Sequence, residues 1–73
     1  MRLSDCATGQ IVQITQLCGE LALKMRLVNL GFHTHSVVEL LVTRGSNFVV
    51  NVDGSRFALD QQIARQIEVE RRS

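Results

Sequence analysis

Residues 21–31 read LALKMRLVNLG, the only stretch of the chain that predicts a long helix. The stretch lacks proline and is rich in strong helix formers. Gly31 stands at its end, where glycine tolerates the left-handed backbone that closes many helices. A helix is therefore predicted to end at Gly31, with short strands and turns before and after it.

The apolar side chains of this helix fall into two stripes rather than one, at about 100° per residue. The inner stripe consists of Leu23, Leu27 and Leu30. The outer stripe, almost opposite, consists of Leu21, Met25 and Val28. A surface helix of a small domain needs only one apolar stripe for its core. The second stripe must be covered by another part of the chain or by a partner, and that cover is the main functional question.

Short runs rich in β-branched residues on both sides of the helix predict strands. These runs are residues 11–17, 36–43, 48–52, 56–59 and 67–70. Asp53-Gly54 predicts a two-residue type I′ hairpin, and Asp60 predicts the N-cap of a short helical turn that ends near Arg65. Residues 1–73 are thus predicted to form one mainly β domain. It is a small, partly open, five-stranded barrel with one α-helix after the first strand and a helical turn before the last.

Bulk composition limits the possible partners and compartments. The chain has 73 residues, a net charge of +1 and interspersed acidic and basic side chains, so it lacks the clustered basic field that nucleic acids require. No apolar run approaches the roughly 18 residues of a membrane span, and the N-terminus lacks the apolar segment of a signal peptide. We therefore expect a cytosolic (cytoplasmic) protein without direct membrane insertion, in which Cys6 and Cys18 are free thiols.

Catalysis and recognition by aromatic stacking are both disfavoured by the residues present. The nucleophile motif GxSxG and the phosphate-binding motif GxxxxGK are absent from the sequence. The chain has no Trp, no Tyr and only 3 Phe residues, whereas grooves for proline-rich peptides and single-stranded nucleic acids are lined by aromatic rings. We expect no enzymatic activity, no cofactor and no nucleic acid partner.

His33 and His35 are the weak candidates for a metal site. Cys6 and Cys18 stand at no familiar ligand spacing from them, and nothing places the Glu39 carboxylate beside them. Exposed turn histidines are the simpler interpretation. A small transition-metal-binding protein that uses His33 and His35 stays as an alternative.

Several short matches occur in a fixed order along the chain. Their residues are Arg26, Leu27, Leu30, Gly31, Gly54, Ala58 and Leu59. In this order and spacing they resemble the signature of the ferrous iron transport protein A (FeoA) family, and the resemblance covers nearly the whole chain. It assigns Leu27 and Leu30 to the fold signature, which makes the inner stripe the expected core face.

The resemblance implies a fold and a partner. Members of that family are similar to SH3 domains, with a helix inserted after the first of five strands. They are small cytosolic proteins of bacterial ferrous iron uptake, thought to act on FeoB, a membrane transporter with a cytosolic GTPase domain. No catalytic residues are accepted for the family, so the resemblance assigns no catalytic role to any residue of this chain.

The sequence departs from the family pattern after the helix. Members usually have a Pro-Gly turn where this chain has Thr34 and His35. Glycine there would permit a positive φ, which histidine tolerates less well. We therefore expect either a different turn or a strained His35.

These observations favour docking as the function. The predicted partner-binding residues are Leu21, Lys24, Met25 and Val28. The competing interpretation packs the outer stripe under the N-terminal segment or the last strand. The chain is predicted to be an accessory protein that regulates the FeoB transporter by contact, and self-association stays open. A further alternative is the SH3-like C-terminal domain of an iron-dependent repressor.

Overall fold

The computed structural model describes residues 1–72, which form one antiparallel sheet and two α-helices. The elements are β1 (Ile11–Leu17), α1 (Leu21–Leu30), β2 (Val37–Arg44), β3 (Asn47–Val52), β4 (Ser55–Asp60), α2 (Gln61–Ala64) and β5 (Ile67–Arg71). This order confirms the predicted mainly β fold, with a helix after the first strand and a short one before the last.

The sheet curls around the core without closing. Its strand order is β4-β3-β2-β1-β5, so β4 and β5 are its two edges. The register shifts between Ile14 and Gln16 in β1 and between Leu40 and Val42 in β2. Such bulges bend a strand and increase its twist. They explain how one five-stranded sheet becomes the predicted partly open barrel.

Alternate side chains of the strands fill the core. In β3, Phe48, Val50 and Val52 are buried while the residues between them are half-buried, which is the period of a strand with one core face. The largest fully buried side chains are Phe32, Leu3, Ile14, Leu27, Leu40 and Ile67. Leu3 belongs to a 3₁₀ turn, Leu3–Asp5, that the sequence did not predict.

Two turns follow from their sequences as predicted. Asp53 and Gly54 have φ values of 52° and 82°, the two positive values of a type I′ hairpin. The Asp60 carboxylate accepts a hydrogen bond of 2.9 Å from the backbone N–H of Ile63 and caps α2. Helix α2 therefore begins directly after Asp60, the last residue of β4.

Helix α1 ends at Gly31, as predicted, in a Schellman motif. Gly31 has a φ of 109°. Its N–H donates to the Val28 carbonyl at 3.0 Å, and the Phe32 N–H donates to the Leu27 carbonyl at 2.8 Å. The reversal brings Phe32 into the core, where its ring lies 5.2 Å from that of Phe57.

The inner stripe is only partly a core face, and the prediction for Leu30 was wrong. Leu27 is 1% exposed and Leu23 packs half-buried against the core, but Leu30 is 46% exposed. The chain reverses immediately after Leu30, so Phe32 takes the core position next to Leu27. Leu30 is left on the last helical turn, facing outward.

Candidate functional site

The outer stripe of helix α1 lies largely in solvent. Leu21 is 73% exposed and Met25 is 52% exposed, whereas Val28 is half-buried. The interpretation that packs this stripe under the N-terminal segment or the last strand is therefore wrong for Leu21 and Met25. Two large apolar side chains, one helical turn apart, form an uncovered surface.

The position of Leu27 explains this exposure. Leu27 is the one buried residue of α1, so it fixes which side of the helix faces the barrel. At about 100° per residue, Leu21 and Met25 point more than a quarter turn away from it. Helix α1 is attached along one narrow face, and its opposite side is free for contact.

Both charged residues within α1 are basic and lack an acidic partner. Lys24 is half-buried and Arg26 is exposed. Within residues 1–72 neither forms an ion pair, since the ion pairs there join Glu68 to Arg2 and to the N-terminal amine. Glu20 and Lys24 stand four residues apart, but they form no ion pair in the described part of the chain. Glu20 is the N-cap with an extended backbone (ψ 153°), outside the helix proper.

A shallow groove of about 440 Å³ runs between the start of α1 and α2. Its apolar lining is Leu23 and Ile63, and its polar lining includes Glu20, Arg26 and Asp60. The sequence did not predict this groove, because it requires two distant segments to lie side by side. The only signal was that Leu23, as a residue of the inner stripe, was expected to face the core.

The two histidines lie on an exposed turn between α1 and β2. The Ser36 N–H donates to the His33 carbonyl at 2.9 Å, and His35 has a φ of 78°. Of the two outcomes expected for this turn, the strained His35 is the one observed. Among residues 1–72 no group of three His, Cys, Asp or Glu side chains converges, so the two histidines have no third ligand beside them there.

The two cysteines are not bonded to each other, and they differ in burial. Cys6 is buried and Cys18 is half-buried. Burial raises the pKa of the Cys6 thiol, the nearby Asp5 carboxylate raises it further, and the N-terminal amine opposes the change. Cys6 is therefore a protonated core side chain at neutral pH, with its Sγ directed to the Arg2 carbonyl at 3.7 Å.

Four of the seven residues of the family signature have clear structural positions. Leu27 and Leu59 are buried, and Gly31 and Gly54 occupy turns with positive φ. The remaining three are exposed: Arg26, Leu30 and Ala58. Of these, Arg26 and Leu30 lie on α1, the element that also carries the outer stripe.

Comparison with known proteins gives a consistent family match. The FeoA domain profile matches residues 1–71. The solution structure of FeoA from Chlorobium tepidum is 25% identical, with a TM-score of 0.93, over 100% of this chain and 71% of that one. The zinc-complexed FeoA of Stenotrophomonas maltophilia, described as an SH3 domain protein, is 25% identical, with a TM-score of 0.86, over 96% of this chain and 89% of that one.

The fold also occurs in metal-dependent repressors. A manganese-dependent transcriptional repressor is 17% identical, with a TM-score of 0.85, over 92% of this chain and 39% of that one. At this identity the match shows the fold alone. A search of curated protein sequences gives no significant match. Within residues 1–72 there is no helix with the length and hydropathy needed to cross a membrane.

Proposed function

Because this chain belongs to the FeoA family, which is linked to ferrous iron transport, we propose that it is a cytosolic accessory protein that docks onto the ferrous iron transporter FeoB. The contact would be made with the cytosolic, GTPase-bearing part of the transporter. The outer stripe of α1 would enter the interface, with Lys24 at its border. The chain would act by contact, since the family is not known for enzymatic activity.

One observation carries this proposal: the exposure of Leu21 and Met25 on a helix whose opposite side is fixed in the core. A helix presented in this way offers its apolar side to a groove on a partner. Met25 is suited to such a surface, because its unbranched thioether side chain adapts to the shape of its partner.

The apolar contact alone is small. Burying the exposed parts of the Leu21 and Met25 side chains would contribute roughly 2–3 kcal/mol to the free energy of association, at the usual free energy of burial per apolar side chain. Loss of translational and rotational freedom on association opposes binding by about 4 kcal/mol or more. The outer stripe thus supports a transient complex only if polar contacts at its border add to it.

The test is a binding measurement with a charge placed in the outer stripe. The purified cytosolic GTPase domain of the transporter from the same genome is titrated with wild-type protein and with Met25→Asp in a calorimeter. We expect Met25→Asp to abolish binding, because a carboxylate would be desolvated in an apolar contact. Its circular dichroism spectrum and Tm should remain nearly those of the wild type, since Met25 is exposed.

The matched control is Val37→Asp. Val37 is an exposed large apolar side chain, 42% accessible, that lies on β2 rather than on α1. We expect this variant to bind like the wild type. Equal affinity of wild type and Met25→Asp would contradict the proposal, and so would unfolding of Met25→Asp, because it would place the stripe in the core.

A further inference from the structure

We infer that the surface which receives helix α1 is acidic, and that Lys24 and Arg26 recognise it from the two sides of the outer stripe. The inference rests on the proposed docking function and deepens it by naming the chemistry of the partner. The occupant is a protein surface that combines an apolar patch with carboxylates at its border.

Charge along the chain is segregated at this helix. From Leu21 to Val38 the sequence has no acidic residue, whereas the rest of the chain contains both acidic and basic residues. Lys24 and Arg26 are the only Lys or Arg residues of that segment, so its lysine and arginine charges are not balanced by a carboxylate within it. Helix α1 itself therefore carries two positive charges, and the nearest acidic residue along the chain is Glu20 at its N-cap.

The two cations border the stripe on opposite sides. At about 100° per residue, Lys24 lies on one flank beside Val28, and Arg26 lies on the other flank, about 100° beyond Met25 and past Asn29. Polar residues around an apolar centre are the usual anatomy of a protein interface. An apolar patch bordered by carboxylates would match this arrangement.

Neither cation has a salt-bridge partner in the described part of the fold, although the carboxylates of Glu20 and Asp60 line the same groove as Arg26. Among the described residues neither is in an ion pair or in a side-chain hydrogen bond, whereas Arg2 pairs with Glu68 at 3.4 Å. Their charges are thus available to a partner. They would supplement the small binding free energy of the apolar contact. Their main effect would be faster association with a surface of opposite charge.

An anionic lipid surface fits the helix less well than a protein does. Stable attachment of an amphipathic helix to a membrane needs a large buried apolar area together with several basic residues, each worth about 1 kcal/mol near an anionic surface. Helix α1 offers two strongly exposed apolar residues and only two cations, of which Lys24 is half-buried and Arg26 lines the groove. Vesicle binding is therefore a separate arm of the test.

The experiment measures association rates with the cytosolic GTPase domain immobilised on a sensor, over a series of salt concentrations. The analytes are the wild type, the double variant Lys24→Glu/Arg26→Glu and the milder double variant Lys24→Gln/Arg26→Gln. The milder variant keeps the test valid if the charge reversal causes misfolding. The control is Arg44→Glu, an exposed basic residue at the end of β2. Vesicles containing phosphatidylglycerol replace the protein in a parallel series.

We expect the double reversal to slow association at least about tenfold at low salt, the neutral variant to slow it less, and Arg44→Glu to change it less than about twofold. The salt dependence of the wild type should flatten in both helix variants. If all four proteins associate at the same rate, the acidic partner surface is refuted while docking stands. If the wild type does not bind the domain at all, the proposed function fails, and vesicle binding that depends on Lys24 and Arg26 would replace the protein partner with a lipid one.

Discussion

At the residue scale, His35 holds a backbone conformation that its side chain disfavours. Its φ of 78° is that of the third residue of a type II turn, a position that favours glycine. The backbone is held there by hydrogen bonds: the His35 N–H donates to the Ile14 carbonyl at 2.7 Å, and the Gln13 side chain donates to the His35 carbonyl at 3.0 Å. The turn is thus held by its anchoring to β1 as well as by local hydrogen bonds between Ser36 and His33.

Replacing His35 by glycine should stabilise the protein. Left-handed strain of about 1–2 kcal/mol is relieved, and the greater freedom of glycine in the unfolded chain opposes this by about 0.5–1 kcal/mol. We expect His35→Gly to raise the free energy of unfolding by about 0.5 kcal/mol, or the Tm by about 2–4 °C. Thermal unfolding followed by circular dichroism measures the change.

Thr34→Gly is the control for that prediction. Thr34 is not among the residues with positive φ, so glycine there gains no relief and should lower the Tm. Destabilisation of similar size by both substitutions would show that the His35 backbone is not strained.

At the scale of the element, helix α1 shows which features a sequence determines locally. Its ends and its two stripes follow from composition, periodicity and Gly31, and they were predicted. The exposure of Leu30 was not predicted, because it depends on the chain reversal at Gly31 that places Phe32 beside Phe57 in the core. A helical wheel assigns residues to a side of the helix, but it does not say where the chain leaves that side.

Alanine substitutions distinguish the two leucines of this helix. Leu27→Ala leaves a cavity in the core and should lower the free energy of unfolding by about 3 kcal/mol. Leu30→Ala removes a side chain that is 46% exposed and should lower it by less than about 1 kcal/mol. Urea unfolding followed by far-UV circular dichroism suits a chain without Trp or Tyr. Equal losses would mean that Leu30 is in the core after all.

At the scale of the whole molecule, the strands were predictable because they depend on local patterns. Predicted and observed strand ends differ by at most one residue. The candidate site was predictable in part: periodicity separated Leu21 and Met25 from Leu27, and the family resemblance assigned Leu27 to the core. The groove beside Leu23 and the half-burial of Val28 depend on how distant segments meet, which no local pattern records.

The central claim is that the chain meets its partner through the outer stripe of α1. The most direct measurement is an NMR titration of the ¹⁵N-labelled protein with the unlabelled cytosolic GTPase domain of the transporter. We predict that the largest shift changes or line broadening occur at Leu21, Met25 and Val28, with the backbone amides of β4 unaffected. Changes centred on β4 or on the His33–His35 turn, with α1 unperturbed, would contradict the account.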